Sequence, residues 1–279
     1  MPTAPARLSA LLLLVALALA LGAVPSARAN LIQDGDFTDV TYSGTVTGLT
    51  TLFGEFGSGG TLKVADWTTS GYNFVYAPDT ADTGSKSGAN MGAPNEAPGQ
   101  YNTSAGYGNT YMWGSNNGGT APLPATDPDG GNFVADDGAA EVGPISQAVT
   151  GLTVGQTYVL KFYWAAAQQE SFTGDTTETW KVSLGSQTFY TGTYSLTSKG
   201  FSGWMQDTMY FTSTNASETL SFLAVGTPSG DPPFSLLGGL DLEVVPDFSN
   251  WIAFAGFGGI CVGFEVMRRR RRQSAPSGC

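Results

Sequence analysis

A chain of 279 residues with 12 basic and 23 acidic side chains, two cysteines and no histidine excludes several chemistries at once. Without histidine there is no Ser-His-Asp or Cys-His constellation, no His-ligated zinc and no general base of the usual kind near neutral pH. Residues 30–247 hold five lysines, no arginine and 22 of the acids, a charge of −17 from 5 against 22, which argues against nucleic acid or anionic lipid as a partner.

The N-terminus has the form of a targeting segment. Arg7 supplies a positive start, Leu11 to Leu21 an apolar stretch, and Ala27-Arg28-Ala29 an A-x-A cleavage site, so residues 1–29 are expected to be a signal peptide read by the Sec machinery, with the mature chain beginning at Asn30. Cys261 and Cys279 are the only cysteines, so no disulfide is expected within residues 30–247, and stability there rests on a large core.

From Asn30 the pattern is one of short strands and Gly-rich turns. Leu31 to Phe37 reads as a short strand running into an Asp-Gly turn, and Thr61-Leu62-Lys63-Val64 and Tyr72 to Tyr76 as further strands. Trp67 is expected in the core. Between residues 77 and 129 the composition shifts to Gly, Asn, Pro, Ser and Thr, a loop length usually reserved for function. Tyr101, Tyr107, Tyr111 and Trp113 are interleaved there with small polar residues. Two readings stay open: aromatic faces that stack on sugar rings while Asn and Asp take the hydroxyls, with Trp204 added from further on, or a loop that folds its own aromatics onto the domain.

The strongest strand signals follow at Gly131–Ala135, Pro144–Val149, Gln156–Ala167, Thr179–Leu184, Gln187–Tyr190, Thr208–Thr212 and Thr219–Val225. In the longest, Tyr158, Leu160, Phe162 and Trp164 alternate with Val159, Lys161 and Tyr163, so one face is buried. Gly185-Ser186 makes a two-residue hairpin turn. In the last strand Leu240, Leu242 and Val244 point inward, and Asp241 and Glu243 outward. Many strands and no amphipathic helix between residues 30 and 247 mean an all-β sandwich or barrel. Carboxylate chemistry is the one catalytic route left, with Asp136, Asp137, Glu141, Glu170 and Glu178 as candidates, but acids beside Gly turns are commoner as solvated charge, and the expectation is a protein that is not an enzyme.

At the far end an apolar run spans Trp251 to Met267 and is followed by Arg268, Arg269, Arg270, Arg271 and Arg272. Seventeen residues make about 25 Å of helix against a hydrocarbon core of ~30 Å, and Glu265 weakens the span further. The arginines should stay cytoplasmic.

Two resemblances attach to these residues. The opening Leu31-Ile32-Gln33-Asp34-Gly35-Asp36-Phe37 resembles the N-L-x-x-N-G-D-F-E start of galactose-binding-like jelly rolls, which implies a jelly-roll β-sandwich over residues 30–244. In that group an acid after the Phe helps hold a structural calcium, which makes Asp36 and Asp39 calcium candidates by resemblance. The tail, with Val245-Pro246-Asp247 ahead of the apolar run and the arginine cluster, resembles the PEP-CTERM sorting signal, as do Gly143-Pro144-Ile145-Ser146-Gln147 and the motifs after it the domain found before such signals. That resemblance implies one C-terminal transmembrane helix (251–267), an exosortase-type membrane protease as partner, transient inner-membrane anchoring, and release to the cell surface or extracellular matrix in association with polysaccharide. An ordinary membrane anchor and a structural or adhesive surface protein with no small ligand are the alternatives.

Overall fold

The computed structural model describes residues 29–42, 53–56, 62–82 and 110–246. The chain divides into two units, Met1–Val244 and Val245–Cys279, and of the second only Val245 and Pro246 are among the described residues. The first is all-β. Its strands are β1 (Val40–Tyr42), β2 (Gly54–Phe56), β3 (Leu62–Val64), β4 (Thr68–Thr69), β5 (Asn73–Tyr76), β6 (Phe133–Asp137), β7 (Ile145–Thr150), β8 (Thr157–Gln168), β9 (Thr176–Leu184), β10 (Gln187–Tyr190), β11 (Tyr194–Leu196), β12 (Met205–Thr212), β13 (Ser217–Thr227) and β14 (Pro233–Val244).

Two sheets face each other as a jelly-roll sandwich. The larger has the order β1-β3-β2-β5-β6-β14-β8-β12, and the smaller β10-β9-β13-β7-β4, with β11 also on β9. The core between them is what alternation dictates. Tyr158, Leu160, Phe162 and Trp164 of β8 meet Trp180, Val182 and Leu184 of β9 and Leu220 and Phe222 of β13. At about 1.5–3 kcal/mol for each fully buried large apolar side chain, this layer is the main source of stability. Trp67 joins it and donates its indole N–H to the Asp34 carbonyl.

A second apolar cluster lies on the opposite face of the larger sheet. Phe74, Tyr76, Phe133, Ala135, Ala165, Ala167, Phe234 and Leu236 are covered there by Ala81, Tyr111 and Met112, with Leu123, Phe201 and Trp204 at the margin. Small alanines on β8 let the covering segment approach until it hydrogen-bonds the sheet: Trp113 N–H reaches the Gln168 carbonyl and Glu170 N–H the Tyr111 carbonyl. Tyr76 donates its hydroxyl to the Thr110 carbonyl at 2.6 Å. One half of this face is thereby closed; in the half nearer Thr157, Gln206, Thr208 and Tyr210 are exposed and Val159 is buried.

Leu31 to Phe37 departs from expectation. It is a bend and turn rather than a strand, joined to β14 through Leu31 N–H to the Leu242 carbonyl. Asn30 substitutes for strand pairing: its Oδ1 accepts from the Ile32 and Leu242 amides and its Nδ2 donates to the Leu240 carbonyl. Asn30→Ala is expected to cost about 1–2 kcal/mol, or roughly 3–6 °C in Tm. A calorimetric midpoint that does not move would show these bonds to be exchanged for water without loss.

The transmembrane helix calls for a correction. The described residues contain no helix, and therefore none long and apolar enough to cross a membrane. The span 251–267 itself lies outside the described residues, as does the signal peptide segment 1–28. Its length already fell short of a bilayer core and it carries Glu265, so the fold class is stated here as the all-β sandwich alone.

Candidate functional site

The open half of the larger sheet's outer face is built by β14, β8 and β12, whose registers fix its side chains in rows. Tyr163 lies between Gly238 and Gln206, Lys161 between Asp241 and Thr208, and Val159 between Glu243 and Tyr210. Alternation puts these residues outward because their neighbours Leu160, Phe162 and Leu242 are in the core. Tyr210 is 58% exposed, Gln206 and Thr208 are exposed, and Tyr163 is partly so. The surface offers two aromatic rings with an amide, a hydroxyl and charged groups between them.

A β-bulge interrupts β14 between Gly238 and Asp241, where Gly239 takes φ 58°. The space these glycines leave is filled from the 110–130 segment. A Cβ on Gly238 would lie 2.6 Å from Asp127 Oδ2, and one on Gly239 2.7 Å from Asp129 Oδ2 and 2.9 Å from Tyr163 Cδ2. Asp127 is buried, with Oδ1 accepting from the Asp129 and Gly131 amides. Lys161 Nζ stands 3.5 Å from Glu243 Oε2. Partial burial pushes the Asp241 carboxyl up, the Glu243 and Asp129 charges adding to this and Lys161 opposing it.

Of the residues expected from sequence to form a site, Tyr111, Trp113 and Trp204 are among those described. Tyr111 is 3% and Trp113 7% exposed; the Trp113 indole donates to the Phe172 carbonyl and carries the Lys199 ammonium 4.6 Å over its ring. Trp204 is partly buried, edge-on to Phe133 and Phe201. The loop thus folds its described aromatics onto the sandwich, while Tyr101 and Tyr107 lie outside the described residues. Tyr163 and Tyr210 were not singled out. The alternation of β8 put Tyr163 on the face opposite the core, and the same reasoning on β12 would have found Tyr210.

Asp36 and Asp39 are exposed, Asp36 Oδ1 takes the Thr38 hydroxyl and Asp34 Oδ1 the Thr38 and Asp39 amides, and among the described residues no three acids are grouped to hold a metal. Of the five carboxylates weighed for catalysis, four are buried and Glu141 is exposed. Asp136 and Glu178 sit fully inside the sandwich, Asp137 is buried and caps the Ala139 and Ala140 amides, and buried Glu170 accepts from Ser171. Burial pushes the Glu178 carboxyl up to about 8, and burial with the nearby Glu141 charge pushes Asp137 up to about 6.

The tail assignment does not survive comparison with known proteins. No family model matches any part of the chain, and no curated protein matches it. Val245 and Pro246 are half-buried, Ala29 and Asn30 exposed, and Ala27, Asp247 and Arg268 to Arg272 lie outside the described residues. With no membrane-crossing helix among the described residues, the PEP-CTERM assignment, the exosortase partner, and the inner-membrane anchoring and release are all corrected and dropped.

Among solved structures similar to the chain, one is the enzymatically active domain of a bacteriophage CBA120 tailspike protein, and several are named as sugar-binding modules. One is TmCBM61 in complex with β-1,4-galactotriose, at 13% identity, covering 65% of this chain and 90% of that one, with a TM-score of 0.35. Another is the N-terminal cellulose-binding domain of Cellulomonas fimi β-1,4-glucanase C, at 21% identity, 47% and 87% coverage and a TM-score of 0.29. A third is the CBM22-1 xylan-binding domain of Paenibacillus barcinonensis Xyn10C, at 11% identity, 50% and 81% coverage and a TM-score of 0.27. Scores this low carry no argument about ligand or site, and the sandwich assignment rests on the strand order and registers of this chain.

Proposed function

We propose that the sandwich is a non-catalytic carbohydrate-binding module whose site is the open face formed by β14, β8 and β12. The observation that supports this most is the presence of exposed Tyr210 and partly exposed Tyr163 on one face of adjacent strands, two rows apart, with Thr208 and Lys161 in the row between them and Gln206 beside Tyr163. Pyranose rings present C–H faces that stack on aromatic rings and hydroxyls that need donors and acceptors beside them. A rigid sheet holds both kinds of group without the ordering cost a loop would incur. Residues 1–29 fit this reading as a leader removed before Asn30, the first residue whose side chain ties the chain to β14.

Affinity electrophoresis of the full chain in gels containing galactan, xylan or mixed-linkage glucan tests it. Tyr210→Ala is expected to weaken retardation about tenfold, or ~1.4 kcal/mol. Tyr190→Ala, which removes a tyrosine 60% exposed on β10 of the other sheet, should leave it unchanged. Equal losses in the two variants would remove the face from consideration.

A further inference from the structure

The open face is not electrically neutral, and its charges are placed against one of its rings. The Asp129 carboxylate and the Tyr163 ring both border Gly239, with Oδ2 2.7 Å and Cδ2 2.9 Å from where an added Cβ would stand. Asp129 is set there by its own loop, its amide bonded to Asp127 Oδ1 at 3.0 Å. From the strand side Asp241 stands directly across from Lys161. Lys161, the one cation of these rows, has Glu243 at 3.5 Å and Asp241 opposite, so its charge is already answered. Three acids against one lysine leave the face negative within a segment of −17.

A ring stacked on Tyr163 would therefore present an edge substituent to carboxylates. A uronate or sulfate there meets like charge. A hydroxyl donates a hydrogen bond to a carboxylate but brings no charge of its own. An ammonium donates as well and adds the attraction of opposite charges. A bare metal ion is a poor occupant, because among the described residues no three acids are grouped tightly enough to hold one, whereas a sugar ring spans the wider spacing.

Resting on the carbohydrate reading above, we propose that this face prefers a glycan with free, protonated amino groups, the pyranose stacked on Tyr163 and the ammonium seated beside Asp129 and Asp241. Partly exposed charges are screened, so the preference shrinks as salt rises.

Calorimetric titration of the full chain at pH 6 with three probes decides the matter: a glucosamine trimer, its fully N-acetylated form, and a galacturonate trimer. The amine form should bind about tenfold or more tightly than the acetylated one, and the galacturonate trimer most weakly. Asp129→Asn should bring the ratio close to one without changing the acetylated trimer's affinity, and Tyr163→Ala should weaken both. Asp66→Asn, at an exposed turn away from the face, should leave the ratio intact, which separates the site from general attraction to an acidic domain. The proposal is overturned by equal affinities for amine and acetylated forms, by a preference that survives Asp129→Asn, or by one that Asp66→Asn reduces as much. In those cases a loss on Tyr163→Ala would still leave the carbohydrate reading standing. Should no trimer or neutral polysaccharide bind, both readings fall together.

Discussion

Trp180→Ala is expected to lower stability by about 3–5 kcal/mol and Tm by roughly 10 °C. Trp180 lies on β9 with its indole wholly buried between the sheets. Its ring N–H donates to the Leu236 carbonyl on β14, at 3.1 Å, so one side chain ties the smaller sheet to the larger by a hydrogen bond as well as by packing. It meets Phe222 edge-on at 6.0 Å. Truncation removes the dispersion contacts of a wholly buried tryptophan, leaves a cavity that the neighbouring strands close only in part, and forfeits the bond to β14. Trp180→Phe keeps much of the volume and loses the N–H, and should fall between the two. Urea unfolding of the three proteins checks this: a loss under 1 kcal/mol for the alanine variant would mean that the sheets are not held together through this layer.

The strands were legible because alternation is a local code. The hairpin Thr179 to Tyr190, with Gly185-Ser186 at its turn, and the core face of β8 follow from period-two patterning and turn chemistry alone. The Leu31–Phe37 segment shows where such reasoning stops: its residues look like a strand, but Asn30 side-chain bonds and a turn at Gly35-Asp36 fix them otherwise, and nothing local signals that. The covered half of the larger sheet was equally hidden. Ala165 to Ala167 read as an unremarkable strand end, yet their small size is what lets Tyr111 and Met112 close over β8, a long-range event. Its consequence for the site is direct, since Tyr111 and Trp113 are buried, and the rings left on the other half are the exposed Tyr210 and the partly exposed Tyr163, which the pairing of β8 with β12 sets on one face. At the tail the difficulty was different: a short apolar run beside arginines satisfies a motif before it satisfies the length a bilayer requires.

Glu178→Gln is expected to raise stability at pH 9 by about 4 kcal/mol relative to the parent protein, while the two stay within ~1 kcal/mol at pH 5. Glu178 is fully buried on β9, its Oε1 receiving the Thr176 hydroxyl and its Oε2 without a hydrogen-bond partner. Burial pushes this carboxyl from 4.5 up to about 8, the Thr176 bond opposing the shift. A group that holds its proton more tightly when folded contributes stability at low pH, and that contribution is lost as the pH rises from the unfolded value through the folded one. For Glu178 the window runs from about 4.5 to about 8. Glu55 is pushed up to about 7 by burial and the Glu141 charge, and Asp34 to about 6 by burial, so both act in the same direction. Asp136, sealed in the core with Oδ2 accepting from the Ala224 amide, also moves upward. Glu218 moves down, its burial outweighed by bonds from Thr214 and Asn215, and offsets only part of this. The parent Tm should therefore decline from pH 5 to pH 9, and Glu178→Gln, which keeps an oxygen for Thr176 and cannot ionise, should flatten that decline. Melts of both proteins across this range decide it: parallel curves would show that Glu178 is ionised in the fold at neutral pH, in a site where no cation is at hand to compensate it among the described residues.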